Sequence, residues 1–362
     1  MSRVHEIRAV ARTFEICGEF VGATVFGSGH INDTYCAVFH QAGVPVRFIL
    51  QRINHHIFKN PVALMENIQR VTSHLAAQVA GEPDCDRRVL TLIPARDGRP
   101  FHVDAKECYW RAYRCIEGAR TYDAVESTEQ AFQAAKTFGQ FQQLLVDLPA
   151  PRLHDTIPGF HNTPKRFTAL EQALAFDGAA REILAKREID FALGRQSITR
   201  VLLDANLPER VTHNDTKLNN VLLDETTGAG VCVIDLDTVM PGLALYDFGD
   251  MVRTTTSPAE EDERDLSRVN MQFPMFEALL RGYLSKASGF LTKQEKDHLV
   301  FSGKLIAFEQ GIRFLTDYLA GDVYYKVHRD GHNLDRCRTQ FRLVESIEQQ
   351  EQKMERLVRS LG

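Results

Sequence analysis

The residues with the clearest chemistry lie in Val211-Thr-His-Asn-Asp-Thr-Lys-Leu-Asn-Asn-Val-Leu-Leu223 and in Val231-Cys-Val-Ile-Asp-Leu-Asp237. Asn220 stands five residues after Asp215, and a β-branched run leads to Asp235. Phosphoryl transfer needs such a set: one group to accept a hydroxyl proton and oxygen donors to hold a metal against the phosphates. Asp215 is therefore expected as the catalytic base, with Asn220 and Asp235 as Mg²⁺ ligands, since Mg²⁺ takes oxygen and shares its shell with substrate phosphates. If the strand continues past Asp235, Asp237 projects to the same face; Asp235 is the preferred ligand. A lone His-x-Asp is an ordinary turn, because Asn and Asp bond their own backbone. The spacing to Asn220, the apolar anchors Val221, Leu222 and Leu223, and the strand-like run reverse that reading. His213 is expected to orient the loop rather than move protons. Lys217 is within reach of a transferring phosphate, although a surface lysine fits the sequence nearly as well.

These residues need a scaffold, and the chain is long enough to build one. Its 362 residues suggest two or so domains, and 44% hydrophobic with 25% charged residues are globular values. A net charge of −5 without a basic run argues against a nucleic-acid partner. Seven scattered cysteines, with no Cys-x-x-Cys pair, fit reduced thiols in a cytoplasmic protein. The first residues lack an apolar signal core, and no run is long enough to span a membrane.

Val4, Ile7, Val10 and Phe14 repeat at helical spacing. Strand-like segments follow at Ala23 to Phe26, Tyr35 to Phe39, Arg47 to Gln51, Val89 to Ile93, Phe101 to Val103 and Tyr109 to Tyr113. Asn60-Pro61 starts a helix between them. Beyond Gly118 the pattern is mainly helical. Ser127-x-x-Gln130 and Thr292-x-x-Glu295 read as capping boxes. Ala180 to Leu203 is a helical region, and helices are expected near Pro274 to Lys286, Thr292 to Leu319 and Asn333 to Leu361.

His213-Asn-Asp-x-x-x-x-Asn220 matches the catalytic-loop pattern of protein kinases. The core resembles the aminoglycoside phosphotransferase and choline kinase superfamily. The longer strings His213 to Asp224, Ile234-Asp-Leu-Asp-Thr-Val-Met-Pro-Gly242, Tyr246-Asp-Phe-Gly-Asp250, Gly29-His-Ile-Asn32 and Arg313 to Asp322 resemble the N-acetylhexosamine 1-kinases. The resemblance implies an α+β, protein-kinase-like fold of two lobes. Residues 1–117 would form a small nucleotide-binding lobe with an antiparallel sheet, and residues 118–362 a larger, mainly helical lobe. It implies transfer from ATP, with Mg²⁺, to the anomeric hydroxyl of a small-molecule sugar. Other acceptors of the superfamily (an amino alcohol, homoserine or an aminoglycoside) stay open, as does a nucleotide-binding pseudokinase.

By the same resemblance, Gly27 and Gly29 begin a phosphate-covering loop in which Asn32 replaces the third glycine. The strand Arg47 to Arg52 carries Gln51 where a phosphate-binding lysine is usual. Arg52 or another cation is expected to substitute, since glutamine supplies no charge. Glu66 is where the lysine's acidic partner would lie. Cys115 and Ile116 would meet the adenine through their backbone. Arg313 and Tyr324 would touch the sugar; an internal ion pair and a packed ring are the alternatives. Asp247 and Asp250 are expected to brace the catalytic loop. His154, Asp155 and His161 read as a polar loop ahead of a helix rather than a metal site.

Overall fold

Alternating apolar residues fold the first third of the chain into an antiparallel sheet. The structure is a computed structural model that describes residues 3–27, 31–176 and 180–361. Its strands are β1 (Glu19–Val25), β2 (Asp33–Gln41), β3 (Val44–Arg52), β4 (Leu92–Ile93), β5 (His102–Val103) and β6 (Tyr109–Arg114). They are ordered β1-β2-β3-β6-β4, with β5 also pairing β6. The expected strand over Val89 to Ile93 shrinks to β4: the chain is extended from Val89 after a helical turn, Cys85–Arg88, but pairs with β6 only at Leu92 and Ile93.

The two faces of this sheet have different partners. Phe48 and Leu50 of β3, with Trp110 and Ala112 of β6, pack under the opening helix Arg3–Ala11 against Ile7, Val10 and Phe14. Ile49 and Tyr113, on the opposite face, join the larger core. Gln51 and Arg111 follow the same alternation and so face the rest of the molecule. The helix Pro61–Gln78 starts as expected, with Asn60 accepting from Ala63 N and proline at the first turn. Its Leu64, Met65, Ile68, Val71 and Leu75 also join the larger core.

The second part is built from the helices Thr128–Leu144, Thr163–Phe176, Phe273–Ala287, Leu299–Leu319 and His332–Leu361. Short strands interrupt them: β7 (Ala119–Arg120), β8 (Arg210–Thr212), β9 (Val221–Asp224), β10 (Gly230–Val233) and β11 (Met240–Gly242). They form a β10-β9-β7 sheet and a β11-β8 pair. The Thr292–Glu295 capping box is complete, but its helix ends at Asp297 and a new one starts at Leu299, so the continuous helix expected there is broken at His298. At Ser127 the box is half made: Ser127 accepts from Gln130 N, while the Gln130 side chain accepts from Glu126 N.

The helix Ala244–Thr255 has no counterpart in the sequence reading. Ten of its residues are buried, including Asp247 and Asp250, so its polar stripe of Asp247, Asp250 and Arg253 faces protein rather than solvent. It crosses Leu299–Leu319 closely. A Cβ on Gly249 would sit 2.5 Å from Ser302 O, and one on Gly303 would sit 2.7 Å from a Val252 methyl. Among the described residues no helix is long and apolar enough to cross a membrane.

Candidate active site

The chain leaves β8 at Thr212 and turns sharply, with Asn214 at φ 65°. That turn is fixed from below by the buried helix. Asp247 accepts from His213 N at 2.9 Å and from Gln142 Nε2 at 2.6 Å on one oxygen, and from Asn214 N at 2.7 Å on the other. Asp250 accepts from Thr216 N at 2.8 Å and is ion-paired with Arg253. The bracing expected of these two carboxylates is thus made through backbone amides. His213 is fully buried, edge-on to Phe138 and Phe141. Its Nε2 lies 2.9 Å from Ile234 O, and its Nδ1 accepts from Asp215 N at 3.3 Å. Both nitrogens are occupied by backbone, which suits an orienting residue and leaves none for proton transfer.

Asp215 and Asn220 are brought together. Asn220 Nδ2 donates to Asp215 O at 2.7 Å and to its Oδ2 at 3.2 Å. Lys217 Nζ lies 3.0 Å from the same Oδ2. Burial pushes the Asp215 carboxyl up, but the nearby charge of Lys217, with that of Arg253, outweighs it and holds it below its usual value. Asp215 is therefore ionised and ready to accept a hydrogen bond from an alcohol.

Asp235 does not end a strand. β10 stops at Val233, and Asp235 adopts a left-handed conformation, φ 58° and ψ 59°, ahead of a turn over Leu236–Thr238. The two aspartates consequently diverge. Asp235 is exposed to solvent, whereas Asp237 is buried, ion-paired with Arg111 and accepting from Asn32 Nδ2 at 2.6 Å. The turn is tied to the catalytic loop by Ile234 N donating to Asn220 O at 2.9 Å. Surrounding protein and the charges of Asp237 and Asp215 push Asp235 up to about 6. An open carboxylate near like charges is where a cation is favoured. Asn220 spends its amide nitrogen on Asp215, so Oδ1 is the atom it has left to offer. Among the described residues no three His, Cys, Asp or Glu side chains are grouped to hold a metal. One carboxylate plus one amide oxygen, completed by phosphates and water, is a Mg²⁺ pattern, and the donor set fits it.

On the nucleotide side, Gly27 has φ +79° and is exposed at the end of β1, while Gly29 lies outside the described residues. Arg52 does not share the face of β3 that carries Gln51. It is ion-paired with Asp33, exposed on the side of β3 that carries Phe48 and Leu50, so the substitute cation expected there is withdrawn. Gln51 is the inward residue, and its Oε1 accepts from Arg111 Nε at 2.9 Å. Glu66 meets His154 at 2.9 Å and no strand cation, so a lysine–glutamate pair has no equivalent at that position. Cys115 N donates to Arg47 O at 3.0 Å, and Ile116 follows half-buried before the turn at Gly118.

At the positions the resemblance gave to the acceptor, Arg313 has no carboxylate within ion-pair distance among the described residues. Its guanidinium donates to Gln310 Oε1 at 2.9 Å and lies 5.5 Å and 5.7 Å from the ring centres of Phe160 and Tyr325. Tyr324 is 68% exposed, with its ring edge-on to Tyr325 at 4.8 Å between centres. The internal ion pair expected as the alternative for Arg313 is absent among the described residues, whereas the Tyr324 ring has a packing partner and still presents most of its surface to solvent. Tyr324 is presented by Asp317, whose carboxylate accepts from Val323 N, Tyr324 N and Tyr325 N.

Arg166 stands nearby. Burial and the Arg313 charge pull its pKa below the usual value, and its buried Nε has no partner. The buried Glu309 is engaged by His161 Nδ1 at 2.8 Å and Thr163 Oγ1 at 2.6 Å. The other His161 nitrogen lies 3.2 Å from Asn214 O, which links this wall to the catalytic turn. His154 is far from that role, exposed and paired with Glu66.

Sequence reasoning missed Arg111, Asp317 and the His161–Glu309 link. A signal existed for Arg111: a cation within Tyr109-Trp-Arg-Ala-Tyr113 needs a partner, as Arg313 does among its aromatics. For Asp317 and Glu309, both within the last long apolar helix, burial alone reveals the role.

A model of the phosphotransferase enzyme family matches residues 22–277. The fold is similar to that of a microcompartment-associated aminopropanol kinase, at 17% identity and a TM-score of 0.58, covering 97% of this chain and 98% of that one. It is also similar to a spectinomycin phosphotransferase solved with ADP and spectinomycin, at 13% identity and a TM-score of 0.60, covering 97% and 99%. A choline kinase from Cryptosporidium parvum Iowa II matches at 14% identity and a TM-score of 0.55, covering 97% of both chains. The antiparallel small sheet, the helical remainder and the braced His213–Asn220 loop agree with these likenesses, and the chain belongs to the phosphotransferase enzyme family.

Proposed function

We propose that the protein transfers the γ-phosphoryl group of ATP to the anomeric hydroxyl of an N-acetylhexosamine, giving ADP and the sugar 1-phosphate. Asp215 orients the attacking hydroxyl and takes its proton as the new O–P bond forms and the β–γ bond breaks. Its lowered pKa makes it a weak base toward the free alcohol, so the proton moves late, once phosphoryl transfer has acidified it. Asn220 and Asp235 would hold Mg²⁺, which when bound neutralises charge on the phosphates. Lys217 sits beside Asp215 and offers a second cation to the transferring group. Gly27 and the backbone at Cys115 and Ile116 are the proposed nucleotide contacts, and Arg313 with Tyr324 the proposed sugar contacts.

The observation that carries the acceptor class is the wall around Arg313. A quaternary or primary ammonium needs a free carboxylate or an open aromatic cage. Here the rings of Phe160 and Tyr325 already face the Arg313 guanidinium, Glu309 is occupied by His161 and Thr163, and Arg166 adds a second cation. Such a wall suits a neutral, oxygen-rich acceptor with a carbonyl for the arginine and a ring face for Tyr324. An ADP-release assay over N-acetylglucosamine, N-acetylgalactosamine, ethanolamine, choline, homoserine and an aminoglycoside tests this. Turnover is expected with the N-acetylhexosamines and should fall by several orders of magnitude in Asp215→Ala. Turnover with an amine alone overturns the sugar assignment, and activity retained in Asp215→Ala overturns the mechanism.

A further inference from the structure

The nucleotide site lacks the strand lysine usual for this chemistry, yet a buried cation faces it from the neighbouring strand. Arg111 is 1% exposed. Its Nε donates to Gln51 Oε1, and a second guanidinium nitrogen is paired with Asp237 Oδ1. Gln51 is itself held, its Nε2 donating to Thr34 Oγ1 at 3.1 Å. The other oxygen of Asp237 takes the amide of Asn32 at 2.6 Å. Asn32 also accepts, through Oδ1, from Asn54 N at 2.9 Å. One carboxylate therefore binds two separate parts of the small sheet: its floor, through Arg111 on β6, and the residue just ahead of β2, through Asn32. That carboxylate stands two residues past Asp235, in the same turn.

We propose that Arg111 is the positioning cation of the nucleotide site, acting through Asp237, and that Asn32 is the second arm of that contact, tying the start of β2 to the turn after Asp235. The inference rests on the phosphotransferase reading and extends it. Arg111 does not touch phosphate; it acts through Asp237. A fork of fixed geometry is required, because Gln51 and Asp237 must be engaged at once, and a lysine ammonium on its single stem cannot span both with the same directionality. The circuit also accounts for two departures in the sequence. Gln51 replaces a cation because its task is to accept from one. Asn32 replaces a third glycine because its side chain makes the contact with Asp237 that bare backbone cannot.

The start of β2, the floor of the sheet and the turn after Asp235 are consequently fixed relative to one another by one shared group. Removing either arm should loosen grip on the nucleotide and leave the acceptor wall, which shares none of these residues, unchanged.

The test compares the full-length chain with Arg111→Lys, Asn32→Gly and the double variant. Each is titrated calorimetrically with ADP and Mg²⁺, and assayed for KM toward ATP and toward the acceptor. Asn32→Gly leaves the Arg111–Asp237 pair intact, so it remains informative if the arginine variant folds poorly. Each single change is expected to weaken ADP binding and raise KM for ATP by about tenfold, the loss of one hydrogen bond to a charged group. The acceptor KM should move less than about twofold. The double variant should be little worse than the worse single, since both act in one chain of contacts. Unchanged ADP affinity in Asn32→Gly, or fully additive losses, overturns the inference while the phosphotransferase reading stands. A wild-type chain that binds no nucleotide overturns both.

Discussion

Asp247 and Asp317 use the same device in two regions, and the difference between them separates chemistry from selectivity. Each is a buried carboxylate that accepts from consecutive backbone amides and so dictates the path of a loop. Asp247 sits under the catalytic turn, where His213, Asn214 and Thr216 are all buried and held by further bonds. Asp317 holds a loop whose side chains point outward, with Val323 78% and Tyr324 68% exposed. In one region the braced backbone is buried and opens to solvent at Asp215 and Lys217. In the other the braced backbone carries Val323 and Tyr324 outward, while the Tyr325 ring packs on Phe314 and Arg313. A catalytic loop must be right to within fractions of an ångström, whereas an acceptor wall gains from adjustable contacts.

Three experiments break or sharpen that contrast. The largest effect is expected from Asp247→Ala, which strands the amides of His213 and Asn214 and the Gln142 side chain in a dry interior. Denaturant unfolding should show a loss of about 3–5 kcal/mol, and kcat should fall by about two orders of magnitude or more as Asp215 loses its register. Asp317→Ala comes next. Its amides lie near the surface and can turn to water, so the stability loss should be about 1–2 kcal/mol. The acceptor KM should rise by about tenfold while that for ATP stays within about twofold. If Asp317→Ala damages kcat as Asp247→Ala does, the two regions are not functionally distinct.

The smallest effect concerns pH. Asp235 is pushed up to about 6 by surrounding protein and by Asp237 and Asp215. Its folded pKa exceeds the unfolded value, so the folded state binds the proton more tightly, and protonation on acidification stabilises it. Ligand-free stability from this group should rise as pH falls through about 6 and level off below about 4, the unfolded range. The gain is modest because solvent reaches the carboxylate and screens it. The rise in melting temperature given by ADP with Mg²⁺ should shrink over the same window, since the metal competes with that proton. Asp235→Asn should flatten the ligand-free dependence; a slope retained in that variant assigns the titration elsewhere.

That Asp215 and Asn220 meet was legible in the sequence because they share one short loop. The antiparallel small sheet was legible from alternation, although the strand expected over 89–93 pairs only at Leu92 and Ile93. The geometry at Asp235 was not legible, since a strand pattern does not announce a left-handed residue after Val233. Arg52 was misjudged for a reason alternation supplies. Adjacent strand residues face opposite ways, and Gln51 holds the inward place. Arg111 and Asp237 meet across 126 residues of chain, and no local pattern encodes that pairing. His161 looked like loop polarity and proved to be a buried link between Glu309 and Asn214.

The crossing at Gly249 and Gly303 bears on how the enzyme tolerates change. Asp247 and Asp250 ride on a helix that lies against its neighbour with no room for a methyl group. The path of the turn from His213 to Thr216 is therefore borrowed from a dry helix seam outside that turn. A single added carbon in that seam would lift both carboxylates together, and the turn would move with every one of its own side chains unchanged.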